Sequence, residues 1–153
     1  MTGVGAGSVL VALLDHAKAI GSIEVARLGE FKSAPPKGLT FAVWAQQLGP
    51  ATSGHGLSTT AAVLQATARL HIPMLTKPEE LVEVRITDAA DAYLGRLSGA
   101  FTLGGLARNV DLLGEQGEPM VWKYGYITVD NTMYRIAELQ IYIVFNDTWV
   151  QSA

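Results

Sequence analysis

The chain predicts an α+β domain in which two main helices pack on one face of a mostly antiparallel sheet. Three observations carry that expectation. Two segments repeat apolar residues at helical spacing, six others have the length and alternation of strands, and their order is helix, three strands, helix, three strands. With 153 residues, no internal repeat and no long linker, residues 1–153 read as a single domain around one core.

Each element has its own local reason. Met1 to Gly7 is rich in glycine and reads as a flexible lead; it lacks a basic leader, and Asp15 and His16 soon interrupt the apolar stretch behind it, so no signal peptide is expected. Ser8 is the expected N-cap of a helix over 8–20, with Leu10, Leu13, Leu14 and Ala17 at helical spacing and Gly21 as the stop. A short strand follows over Ser22 to Leu28. Gly29 to Gly38 is then a loop, because Lys32, Pro35, Pro36 and Lys37 oppose regular structure. Leu39 to Leu48 is expected as a strand with Phe41 and Val43 on one face and Trp44 on the other. Gly49 to Leu57 reads as a flexible connection. In the next strand, Ser58 to Ile72, Ala62, Leu64, Ala66, Ala68, Leu70 and Ile72 point inward, and Gln65, Thr67, Arg69 and His71 outward.

The strongest local signal is a second helix. Thr76 and Glu79 fit a capping box, Pro78 suits a first turn, and Glu79 and Glu80 complement the positive helix end. Val82, Ile86, Ala89, Tyr93 and Leu97 form one stripe that stops near Gly99. A Gly104-Gly105 turn and a short strand near Ala107 to Leu112 lead to a closing hairpin. In its first strand, Val121 to Val129, Trp122, Tyr124 and Tyr126 point one way and Val121, Ile127 and Val129 the other. Asp130-Asn131 closes it, without the usual glycine. In the return strand, about Thr132 to Phe145, Met133, Ala137, Leu139, Ile141, Ile143 and Phe145 read as core. The opposite face, with Tyr134, Ile136, Glu138, Gln140, Tyr142 and Val144, reads as a surface that something else covers in part. A neighbouring copy or a helix of the same chain could supply that cover; Trp and Tyr are enriched where a neighbour does.

Composition narrows the function. The chain is 49% hydrophobic and only 16% charged, which favours an assembled state over a free monomer. A net charge of -3 with dispersed Lys and Arg leaves no basic stripe to follow a phosphate backbone, so sequence-specific nucleic-acid binding is not expected. Without cysteine there are no disulfides or thiolate metal sites. The span from Gly38 to Ala68 has no charged residue, but Gln46, Gln47, Gly49, Pro50, Gly54 and His55 break it into runs shorter than the roughly 20 apolar residues that cross a bilayer.

Candidate chemistry is thin. Gly3, Gly5 and Gly7 follow no strand and complete no phosphate-binding spacing. His16, His55 and His71 fall on different elements, without metal-ligand spacing. Ser53 or Ser58 with His55 would form a hydrolytic pair only with an ordered oxyanion site, in the most pliable loop of the chain. Asp88 and Asp91, a turn from Arg85, read as a solvated face. No catalytic, cofactor or metal site is expected.

Several segments, in order and covering most of the chain from about residue 30, resemble a known family. They are KGLTFAVW (37–44), SGHGLSTTAAVLQATARLHIPML (53–75), FTLGGLARNVDLLGEQGEP (101–119), GYITVD (125–130) and NDTW (146–149). Together they are similar to the tail terminator proteins of long-tailed, siphovirus-type phages of actinobacteria. Stoppers and tail completion proteins are related small ring formers. The resemblance implies a non-enzymatic virion protein, assembled in the host cytoplasm and needing no cofactor. Such a protein forms a ring, generally a hexamer, at the head-proximal end of the tail tube, stops tube growth and offers the surface on which the neck docks. DNA would pass through the lumen without being recognised, and a net negative wall suits that passage.

A ring joins two different patches of each subunit. The strand pair from Leu39 to Ile72 and the exposed face of the hairpin are the expected patches, with Trp44, Trp122, Tyr124, Tyr126 and Tyr142 as contact candidates. Lys32, Pro35, Pro36 and Lys37 in the first loop and His55 in the second are the candidates for meeting tube or neck, the alternative being plain solvent turns. Both loops are expected to be mobile in a free subunit and to become ordered against neighbours. Trp149 is expected to anchor a short carboxyl tail.

Overall fold

The computed structural model describes residues 5–51, 59–76, 78–115 and 117–150, and of residues 59–60 and 146–150 the main chain alone. The order of elements is the expected one: α1 (Ala6–Lys18), β1 (Val25–Leu28), β2 (Thr40–Pro50), β3 (Thr59–Pro73), α2 (Leu81–Gly99), β4 (Asn109–Val110), β5 (Lys123–Val129) and β6 (Thr132–Val150). They form one 6-stranded sheet in the order β1-β2-β3-β6, with both β4 and β5 on the far edge of β6. Only β1 and β2 run parallel; every other pair is antiparallel.

Register fixes which residues meet the helices. Phe41 lies opposite Leu70, Leu70 opposite Ala137, and Ala137 opposite Tyr124, so these side chains share one face. On that face every expected inward residue of β3 is buried, as are Ala137, Leu139, Ile141, Ile143 and Phe145 of β6. The helices close it. Val9, Leu13, Leu14 and Ala17 of α1 and Val82, Ile86, Ala89, Ala90, Tyr93 and Leu97 of α2 are buried. Tyr93 sits at the centre, 5.0 Å from the ring of Phe41 and 6.1 Å from that of Trp122, and its hydroxyl donates to the Leu13 carbonyl at 2.9 Å. One phenol thus links both helices to the sheet, and burial raises its pKa far beyond the ordinary range.

Local boundaries differ from expectation for visible reasons. Helix α1 starts ahead of Ser8 because Gly5 takes a left-handed conformation and its carbonyl accepts from Val9 N. Ser8 is therefore inside the helix. The Thr76–Glu79 capping box does not form: the Thr76 hydroxyl donates to the Pro73 carbonyl at 2.7 Å, and the helix enters through tight turns from Leu81 N to Pro78 O and from Val82 N to Glu79 O. The hairpin closes as expected at Asp130-Asn131, both residues taking positive φ (49° and 64°), the conformation that their short polar side chains tolerate without glycine. Strand β6 runs on to Val150, so Trp149 lies in a strand opposite Thr60 rather than in a separate tail.

Candidate assembly surface

The surface divides into three zones, two on the sheet face away from the helices and one at the β5 edge on the helix side. At one end the loop between β1 and β2 folds down as a clasp. Glu30 pairs with Arg69 at 2.8 Å, the Phe31 ring stands edge-on to His71 at 5.4 Å, Ala34 N donates to Asp130 Oδ2 at 2.8 Å, and the Tyr134 hydroxyl donates to the Pro35 carbonyl at 3.3 Å. Gly38 ends the clasp with φ +91°, a left-handed conformation that favours glycine, and a Cβ there would displace the Glu24 carboxylate. Under this cover Tyr134, Ile136 and His71 are buried. The loop expected to be free is thus held to its own sheet by four separate contacts; Pro35 is buried, while Lys32, Pro36 and Lys37 remain exposed.

His71 is the odd group beneath the clasp. It is 1% exposed, lies between the rings of Phe31 and Tyr134, and its Nδ1 has no hydrogen-bond partner among the described residues. Burial, helped by the nearby Arg69 charge, pushes its pKa down to about 3. His71 lies on the outer face of β3, as strand alternation suggested, but the clasp buries it and at neutral pH it is uncharged.

The middle zone is polar. Gln65 donates to Gln140 at 2.9 Å, Thr67 lies 3.0 Å from the same amide oxygen and 3.3 Å from Gln46, and Arg69 joins Glu138 at 2.9 Å while its guanidinium covers Trp44 at 5.1 Å. The side chains line an open trough of about 430 Å³. Trp44 is therefore partly covered by its own chain. The β2–β3 pair, expected as one contact patch, lies inside the sheet between β1 and β6 and presents this amide-rich trough on its outer face. At the other end Tyr142 is half-buried, its ring so close over Gly117 that a Cβ on that glycine would come within 2.5 Å of it.

The third zone is the edge of the sheet at β5. Trp122, expected at an interface, is buried under α2, and its indole Nε1 donates to the Ala90 carbonyl at 3.0 Å. It belongs to the core of its own chain. Tyr124 and Tyr126, on the same side, lie beyond the helix and are 39% and 57% exposed. Arg135 lies between them at 5.2 and 4.6 Å from the ring centres, its guanidinium bonded to Glu83 of α2 at 2.6 and 3.3 Å. Tyr124 also shares a hydrogen bond with Thr87 at 3.0 Å. Exposed Leu81, Val84 and Met133 adjoin them in sequence or register. Tyrosines fixed around an arginine beside aliphatic surface lose little side-chain freedom on binding, which is the character of interface anchors.

His55 and the side chain of Trp149 lie outside the described residues. Among those described, no group of three acidic or histidine side chains could hold a metal, and no helix is long and apolar enough to cross a membrane. Compared with known protein families and with curated proteins, the chain matches none. Sequence reading missed the clasp, since nothing in Gly29 to Gly38 says which surface it crosses. The clue was Phe31, an apolar residue inside a polar loop, together with Tyr134 and Ile136 needing cover.

Proposed function

We propose that this chain is a ring-forming structural subunit of a phage tail, a tail terminator that caps the tube at its head-proximal end and receives the neck. One observation carries the reading: the subunit leaves Tyr124 and Tyr126, held around Arg135, together with Met133, exposed beside a strand edge. Such a surface fits repeated docking of identical copies better than it fits a small ligand, which takes a concave pocket. The order of elements suits the segments resembling terminators, and low charge suits a subunit that spends its life assembled. Ring closure then needs a second, different patch on each copy.

The mechanism is steric. A closed ring seated on the last layer of the tube covers the surface to which the next tube subunit would add, and its outer face becomes the dock for the neck. The test is genetic and visual. Without this chain the parent particle should yield headless tubes of irregular length, and labelled protein should decorate the head-proximal end of intact tails. Head-bearing particles of normal tail length in its absence would overturn the proposal.

A further inference from the structure

Strand β5 has a partner on one side only. It pairs with β6, and among the described residues nothing pairs with its other edge. Bonds from Met74 N to Met133 O and from Arg108 N to Val144 O show which way β6 residues point: odd ones near the hairpin toward β3, even ones toward the β4 and β5 side. It follows that Gly125 and Ile127 bond to β6, while the N–H and C=O of Tyr124, Tyr126 and Thr128 point outward. Seven residues long, without proline or bulge and with Lys123 as its one charge, β5 has few of the features that discourage strand addition.

At the opposite side of the sheet the edge is β1, four residues long. Among the described residues strand β1 pairs with β2 alone; its Arg27 lies opposite Ala42 and Gly29 N bonds to Val43 O, so Ala26 and Leu28 point their main-chain groups outward, the Leu28 carbonyl accepting only from the exposed Arg27 Nε at 3.3 Å. The two edges also run in opposite directions. β1 is parallel to β2, and three successive antiparallel steps lead from β2 through β3 and β6 to β5. A second copy in the same orientation therefore brings its β1 alongside β5 in the antiparallel sense, with the helix faces of both sheets on the same side.

We infer that the free edge of β5 takes up β1 of a second copy of this chain, head to tail, in the register that sets Tyr126 opposite Ala26, Gly125 opposite Arg27 and Ile127 opposite Val25. This register alternates large with small. Ala26 leaves room for Tyr126 over its arginine, Gly125 leaves room for the Arg27 side chain, and Leu28 meets Tyr124. A two-fold pairing of β5 with β5 would leave both β1 edges open, whereas the head-to-tail pairing occupies both. The inference rests on the ring reading for its purpose, but not for its geometry.

The absence of native cysteine makes covalent capture a direct test. Val25 and Ile127 would form a non-hydrogen-bonded pair with Cα atoms about 4.5 Å apart, within disulfide reach. Val25→Cys and Ile127→Cys proteins, each purified alone and then mixed at high concentration and oxidised, should yield one crosslinked dimer, and neither should crosslink alone. The doubly substituted chain should give a ladder of crosslinked species. Arg27→Cys with Gly125→Cys, where an added Cβ meets Ile136 at an ordinary 3.8 Å, repeats the test at a second pair. Crosslinking of Ile127→Cys with itself, or no crosslinking at either pair, would overturn the inference. Rings seen by microscopy without these crosslinks would spare the ring reading and remove this interface. Crosslinked ladders that never close would do the reverse.

Discussion

Acid should loosen this fold through His71. The side chain is 1% exposed and its pKa is pushed from 6.5 down to about 3. A depressed histidine pKa means that below pH 6.5 the unfolded chain binds a proton that the folded chain refuses. Stability is therefore whole above pH 6.5 and falls as pH drops toward 3, by about 1.4 kcal/mol per pH unit. Between pH 7 and pH 5 the loss from this one group is about 2 kcal/mol, a large share of the stability of a small domain. The comparison is with His71→Leu, which keeps an apolar group of similar bulk between Phe31 and Tyr134 and cannot titrate. Urea unfolding of both proteins at pH 7, 6 and 5 gives two stability curves. The exposed carboxylates contribute alike to both, so their difference isolates the histidine. The wild-type curve should drop below that of the variant, relative to their pH 7 values, by about 2 kcal/mol at pH 5. Curves that stay parallel from pH 7 to pH 5 would refute the reasoning, because a histidine free to protonate in the folded state produces no divergence.

Other outcomes follow from single contacts. Trp122→Ala should destabilise the folded subunit by about 3–5 kcal/mol, measured by denaturant unfolding, since it empties a core site and removes the bond to Ala90. Tyr126→Ala should alter subunit stability by less than about 1 kcal/mol while weakening self-association in sedimentation, because the ring is mostly exposed. Tyr93→Phe should cost about 1 kcal/mol in the same unfolding assay, the value of one neutral hydrogen bond whose acceptor, Leu13 O, lies inside a helix. Gly38→Ala should destabilise by about 1–3 kcal/mol and speed hydrogen exchange at Ala34 N, since its positive φ opposes a side chain and the Glu24 carboxylate would have to move aside.

Much of this architecture was legible in the chain because it rests on local periodicity. The stripe Val82, Ile86, Ala89, Tyr93, Leu97 and the alternation of β3 each required one buried face, and the structure buries both. What local pattern cannot reveal is which distant segment covers a second apolar face. Tyr134 and Ile136 demanded cover, and it comes from a proline-bearing loop about a hundred residues earlier, joined to Tyr134 through Pro35 O and to His71 beside it through Phe31. The same limit explains Trp122. Its spacing in the strand is that of Tyr124 and Tyr126, yet α2 ends its cover between them, so one aromatic ring is core and the next two are surface. The capping motif at Thr76 failed for a different reason: a strand carbonyl at Pro73 took the hydroxyl first.

The position of β6 in the sheet bears on how the polypeptide acquires its shape. It follows the other five strands in sequence and is also an interior one, joined to β3 on one flank and to β4 and β5 on the other. Until it emerges from the ribosome, β3 has an open flank and the apolar rows of both elements lack their seat. Ordering of the sheet must wait for residues up to about 150, and the clasp too depends on distant chain, since Ala34 needs Asp130 as its acceptor. Shortening β6 from its carboxyl end should therefore harm solubility during expression out of proportion to the few residues removed.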